Sequence, residues 1–141
     1  MTISSVHGSI SIDVPPQVVL DLVADPTELP RWAPAFARAV RPAGGERWFV
    51  DTGEDEVRVR VRVSRELGTV DFLMADAPEE LGIGAFARVV PNGGGSELIF
   101  TRFHSDSTSE IELAEQRAVV AVELQTVRAL CESAHTEAAA A

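Results

Sequence analysis

The sequence predicts an α+β protein in which an antiparallel sheet wraps around one long C-terminal helix. Three observations carry that expectation. The stretch from Ser109 to His135 has helical periodicity: with Leu113 at zero and 100° per residue, Val120, Leu124, Val127 and Cys131 all return to within about 40° of it, forming one apolar stripe. Most of the chain before it alternates apolar and polar residues in short runs, as half-buried strands do. The runs between Phe36 and Ser105 are separated by only a few turn residues, which join antiparallel neighbours, whereas a parallel crossover needs about a dozen residues or more.

Taken in order, Ser9 to Val14 reads as the first strand, with Ile10, Ile12 and Val14 on its buried face and His7 on the solvated side. Pro15-Pro16 ends it, and proline suits the first turn of the helix expected over Gln17 to Ala24, whose apolar side is Val18, Val19, Leu22 and Val23. Asp25-Pro26 stops that helix. A second short one runs from Thr27 to Trp32, capped by Thr27 or Asp25 and ended before Pro34.

Six further strands follow, over 36–42, 46–52, 56–66, 69–75, 82–91 and 96–105. Ala43-Gly44-Gly45, Gly53-Glu54-Asp55, Leu67-Gly68, Asp76-Ala77-Pro78 and Pro91-Asn92-Gly93-Gly94-Gly95 divide them. The long helix opens on Ser109, three residues before Glu112. That is a capping-box spacing, with Glu110, Glu112 and Glu115 near the positive end of the helix dipole. No linker divides residues 1–141, so a single domain is expected, with residues 136–141 as a frayed alanine tail.

Bulk composition excludes several function classes. Hydrophobic residues make up 45% and charged residues 24% of the 141, ordinary for a globular protein, and no run approaches the ~20 apolar residues of a membrane span. The net charge of −10 disfavours nucleic acid and anionic membrane as partners, although residues 31–65 hold eight arginines against five acids. A single cysteine, Cys131, rules out an internal disulfide. With no signal-like N-terminus, a cytoplasmic location is expected.

The segment Ile12-Asp13-Val14-Pro15-Pro16-Gln17-Val18-Val19, followed by Asp25-Pro26-Thr27-Glu28-Leu29-Pro30-Arg31-Trp32-Ala33-Pro34, resembles the START-like superfamily, also called SRPBCC or Bet v 1-like. Within it, the similarity is to the bacterial polyketide cyclase/dehydrase-like and lipid-transport-like proteins. The motif covers residues 10–34; the order of elements extends the resemblance to the whole chain. It implies a helix-grip fold: a curved seven-stranded antiparallel sheet around a long C-terminal helix, two short helices between strands 1 and 2, and an elongated apolar cavity. Fold alone does not assign a function.

Alternation bears on that cavity. Val57, Val59, Val61 and Val63 face one way and Arg58, Arg60 and Arg62 the other; Val70, Phe72 and Met74 point inward, and Ile83, Ala85, Ala87 and Val89 share a parity. Small side chains facing Val120, Val127 and Cys131 fill a concave sheet poorly, and an apolar void takes an apolar ligand. Expected cavity residues are Trp32, Val59, Val61, Phe72, Met74, Ala85, Ala87, Phe100, Val120, Leu124 and Val127.

The chemistry on offer is sparse. His7, His104, His135 and Cys131 lack metal-ligand spacing, and no cofactor motif occurs. With no lysine and no tyrosine, Schiff-base chemistry and phenol-based catalysis are excluded. Arg102 and His104 share a face of the last strand with Leu98 and Phe100, but the opposite parity is nearly as apolar, so alternation leaves their direction open. The arginine row 58, 60 and 62 reads as a wet outer face paired with cross-strand acids. Cys131, on the buried stripe, reads as a small hydrophobe.

Three functional readings result. The first is binding or transport of a small hydrophobic molecule, a lipid, quinone or polyketide-like aromatic, without catalysis. The second is a polyketide cyclase/dehydratase-type enzyme drawing on Arg102, His104 and either Asp71 or Asp51. The third is self-association through Val122, which lies about 180° from Leu113 on the helix and suits a homodimer contact.

Overall fold

The computed structural model describes residues 2–75 and 84–140. Its seven strands are β1 (Ser4–Ile12), β2 (Ala39–Gly44), β3 (Arg47–Asp51), β4 (Glu56–Ser64), β5 (Thr69–Met74), β6 (Gly84–Asn92) and β7 (Gly95–His104). They form one antiparallel sheet in the order β1-β7-β6-β5-β4-β3-β2. Between β1 and β2 the chain passes through α1 (Pro16–Val23), a 3-10 turn (Pro26–Glu28) and α2 (Leu29–Trp32). The chain ends on α3 (Glu110–Ala140). This is the helix-grip arrangement expected from the sequence.

Local chemistry explains the boundaries. Pro16 opens α1, where its missing N–H costs nothing, and the Asp25 carboxylate accepts from the Thr27 N–H and hydroxyl at the next turn. Strand β2 starts three residues later than expected, because the Phe36 and Ala37 N–H groups bond back to the Ala33 carbonyl and prolong the turn after α2. Gly68, at φ +69°, closes the β4–β5 hairpin; a Cβ there would sit 2.3 Å from the Val89 carbonyl oxygen. The capping box forms: Ser109 Oγ accepts from the Glu112 N–H at 3.1 Å, and the Glu112 carboxylate accepts from Ser109. The alanine-rich end expected to fray continues the helix to Ala140, alanine having the lowest helical cost of any residue.

The core lies on the sheet's inner face. Leu113, Val120, Leu124, Val127 and Cys131 of α3 are all buried, as their periodicity requires. The helix lies chiefly against β1, with α1 and α2 beside it. Gly8 makes that approach close, since a Cβ at this position would come within 3.0 Å of Leu124 Cδ1. From α1, Val19 and Val23 are buried as predicted; Leu20 joins them, while Val18 and Leu22 are half-buried. On the outer face, Arg60 pairs with Glu46 at 3.1 Å and Arg62 with Asp71 at 3.3 Å, the cross-strand pairing expected of that row. The turn expected at Asp76-Ala77-Pro78 and the inward placement of Ile83 lie outside the described residues.

Candidate functional site

Strand register sets the site. Pairing across the sheet puts Val6, Arg102, Ala85, Phe72 and Val61 in one inward row, flanked on one side by the row Gly8, Phe100, Ala87, Val70. Ala85 is a small side chain between two large ones, and with Gly84 beside it the sheet is hollow at that point. Over the hollow stand Leu29 and Trp32 of α2 and Ala33 and Phe36 of the following turn, enclosing a cavity of about 340 Å³. From the sheet side Val59, Phe72, Met74, Gly84, Ala85, Phe100, Arg102, Phe103 and His104 complete the lining.

Trp32 is the principal wall. It is 3% exposed and meets Phe72 and Phe100 edge-to-face, at centroid separations of 6.3 and 6.2 Å. Such aromatic pairs are worth ~0.5–1.5 kcal/mol each beyond area burial. Trp32 therefore anchors α2 on the sheet and lines the cavity as well.

The polar end of the cavity is built by β7. Because Leu98 and Phe100 are buried against the helices, Arg102 and His104 lie on the inner side, which the alternation had left open. Arg102 reaches α3: one nitrogen, Nη2, faces both carboxylate oxygens of Glu123, at 3.0 Å from Oε1 and 3.1 Å from Oε2, with hydrogen-bond geometry to Oε2 alone. The Glu123 side chain is only 3% exposed. Desolvation pushes its carboxyl above the usual carboxylate range, and the Arg102 charge and hydrogen bond pull partly back. His104 is shifted down, first by burial and then by the Arg102 charge, which favours neutral imidazole. Its Nε2 is shielded and has no hydrogen-bond partner among the described residues.

Of the residues expected at the cavity, Trp32, Val59, Phe72, Met74, Ala85 and Phe100 line it. The structure places Val61, Ala87, Val120, Leu124 and Val127 in the packed core instead. The helix sits close over Gly8 and fills that half of the cup, so the void lies under α2 rather than along α3. Asp71 is on the wrong face for the cavity: it is an outer-face residue of β5 and pairs with Arg62, since Val70 and Phe72 take the inward positions. Asp51 accepts from the Gly53 N–H in the β3–β4 turn and is also outside the cavity. Glu123 was not anticipated. Its signal was legible all the same: an acid about 40° from Val127 on the helical wheel interrupts an apolar stripe.

Cys131 is buried, and burial, with a smaller contribution from Glu132, pushes its thiol up to about 11. Among the described residues no group of three or more His, Cys, Asp or Glu is placed to hold a metal ion. No helix among them is long and apolar enough to cross a membrane.

Comparison with known proteins adds a family to this geometry. The model of the polyketide cyclase / dehydrase and lipid transport family matches residues 4–132. The chain belongs to that family. The match takes in every residue that lines the cavity, and α3 as far as Glu132. Solved structures share the fold at low identity. The protein XoxI from Bacillus cereus aligns with a TM-score of 0.71 at 15% identity, covering 94% of this chain and 99% of its own. Aha1 from Colwellia psychrerythraea, solved as a dimer in solution, gives 0.68 at 17%, over 89% and 94%. Ara h 8.0201 gives 0.63 at 13%, over 93% and 99%. Among curated proteins, none matches this sequence. Family and fold together support binding of a hydrophobic ligand in general terms.

Proposed function

We propose that this protein binds or carries a small hydrophobic molecule, of the size of an aromatic polyketide, a quinone or a single-chain lipid, in the cavity under α2. The observation that carries this reading is the apolar cavity of about 340 Å³ walled by Trp32, Phe72 and Phe100. Its volume is at the small end of ligand pockets, which run ~300–1,000 Å³. Native mass spectrometry of freshly purified protein is expected to show a co-purifying apolar molecule, and a panel of such compounds is expected to raise Tm. Ala85→Phe, which fills the hollow, is expected to abolish both effects while the protein stays folded. A ligand-free chain with no thermal shift across the panel would refute the reading.

Arg102 and His104 at one end of the cavity support a second reading, a cyclase or dehydratase acting on a polyketide-type substrate. Arg102 would polarise a carbonyl and neutral His104 would accept a proton. If so, His104→Asn would lose turnover of a poly-β-keto thioester while retaining binding of the cyclised product.

A further inference from the structure

Resting on the hydrophobic-ligand reading, the polar end of the cavity specifies what kind of hydrophobic molecule fits. We propose that the cavity takes a small hydrophobic carboxylic acid, held as its anion on Arg102, and that Glu123 takes up one proton as the acid binds.

Two features of the site lead there. Arg102 uses a single nitrogen on Glu123; its Nε and Nη1 make no hydrogen bond to a described residue, and 17% of the side chain remains exposed where it lines the cavity. A guanidinium has five donors in a planar fork that matches a carboxylate, so capacity for a second acid is present. Glu123 Oε1, for its part, is buried without a hydrogen-bond partner among the described residues. An ionised oxygen in that state is poorly solvated, and an O–H there relieves it.

Charge balance then couples the two. With Glu123 ionised, the guanidinium and carboxylate sum to zero. Bringing a second carboxylate into the apolar chamber would leave one uncompensated negative charge, which is costly at low dielectric. A proton from solvent, or from the ligand's own carboxyl if it enters uncharged, forms an O–H bond on Glu123. The result is Arg102 paired with the ligand anion beside a neutral Glu123 acid.

Among the described residues, α3's other neighbours offer no site that competes with Glu123. From β7, Arg102 contacts Glu123 directly, and His104 stands two residues on along the cavity wall. β1 brings Val6 and Gly8, with His7 exposed. α1 turns Val19 and Val23 inward and Asp21 outward to Arg65, and α2 brings Trp32, with exposed Arg31 held by Glu28. Among the described residues His104 is thus the alternative proton acceptor, and the experiment separates it.

Titration calorimetry on the intact protein would compare naphthalene-2-carboxylic acid with its neutral carboxamide, and decanoic acid with decanamide, between about pH 6 and about pH 8, in two buffers of different ionisation enthalpy. For at least one pair, the acid is expected to lose up to about tenfold in affinity per pH unit and to take up close to one proton, the most that one-proton linkage allows. The amide is expected to show neither effect. Glu123→Gln would keep acid binding but lose the slope and the uptake; Arg102→Met would weaken the acid at least about tenfold and spare the amide. An acid that binds with no slope and no uptake in wild type overturns the proposal, as does amide binding without acid binding, and in both cases the hydrophobic-ligand reading stands. A slope that survives Glu123→Gln and vanishes in His104→Asn also overturns it, assigning the proton to His104. Binding of none of the four compounds counts against both readings.

Discussion

At the scale of single residues, the Arg102–Glu123 pair is where stability and site chemistry meet. Removing one partner of a buried pair costs ~3–5 kcal/mol, because the other charge is left without compensation. Arg102→Met is therefore expected to lower unfolding free energy by about that amount at neutral pH, with a smaller loss in acid, where Glu123 is protonated. The sign for Glu123 follows from its raised carboxyl. The native state holds the proton above the ordinary value of 4.5, where the unfolded state has released it, so stability falls as pH rises from there through the folded value. His104 acts in the opposite sense: its lowered value means the unfolded state binds protons first below 6.5, so stability falls as pH drops through that region. Urea titrations across pH of wild type and Arg102→Met check both, the variant extending the Glu123 slope to higher pH. Cys131, with its thiol pushed up to about 11, is expected to resist iodoacetamide in the native protein and to alkylate rapidly once urea unfolds it. Rapid labelling of folded protein would contradict its burial.

At the scale of elements, α3 is mostly a packing device. Val127 is fully buried, and Gly8 lets the helix settle onto β1. Val127→Trp is accordingly expected to overpack the core and cost ~1–3 kcal/mol or more, measured as a drop in denaturation midpoint; a neutral effect would show a void along the helix. The helix itself was legible in the sequence, cap included, because its stripe is regular and Ser109-x-x-Glu112 is a local signal. So were the seven strands, to within about three residues at their ends, except that β1 starts at Ser4, five residues before the expected Ser9. The location of the void was not legible. Periodicity says which way Val120 and Leu124 face, but not how close the helix comes, and that distance depends on a single glycine four strand pairs from the end of the chain's first strand. Nor could alternation orient Arg102, since Ile99, Thr101 and Phe103 are nearly as apolar as Leu98 and Phe100; only the sheet's register with β1 and the position of α3 decide it.

At the scale of the whole molecule, α3 carries an apolar stripe outside the grip, apart from the exposed Val63, Leu67 and Ile99 of the sheet and its turns. Val122 is 61% exposed and Ile111 75%, and a separation of eleven residues puts them on the same helical stripe, away from the buried one. If that stripe carries self-association, light scattering at high concentration is expected to show a dimer that Val122→Glu converts to monomer. A monomeric wild type would remove the idea. The sheet's connectivity has a different consequence, for how the protein comes into being. Its first strand pairs with its last, Ser4 opposite His104, and the intervening strands reach β1 only through β7. Contacts so distant in sequence place the chain among slow folders, on the ~ms–s scale. On the ribosome, β1 has no strand partner until β7 has emerged, and the cavity, drawn from α2 and four of the later strands, is not complete before then. A molecule held there touches α2 and β4 to β7 at once, so it stabilises the assembled sheet rather than any single hairpin.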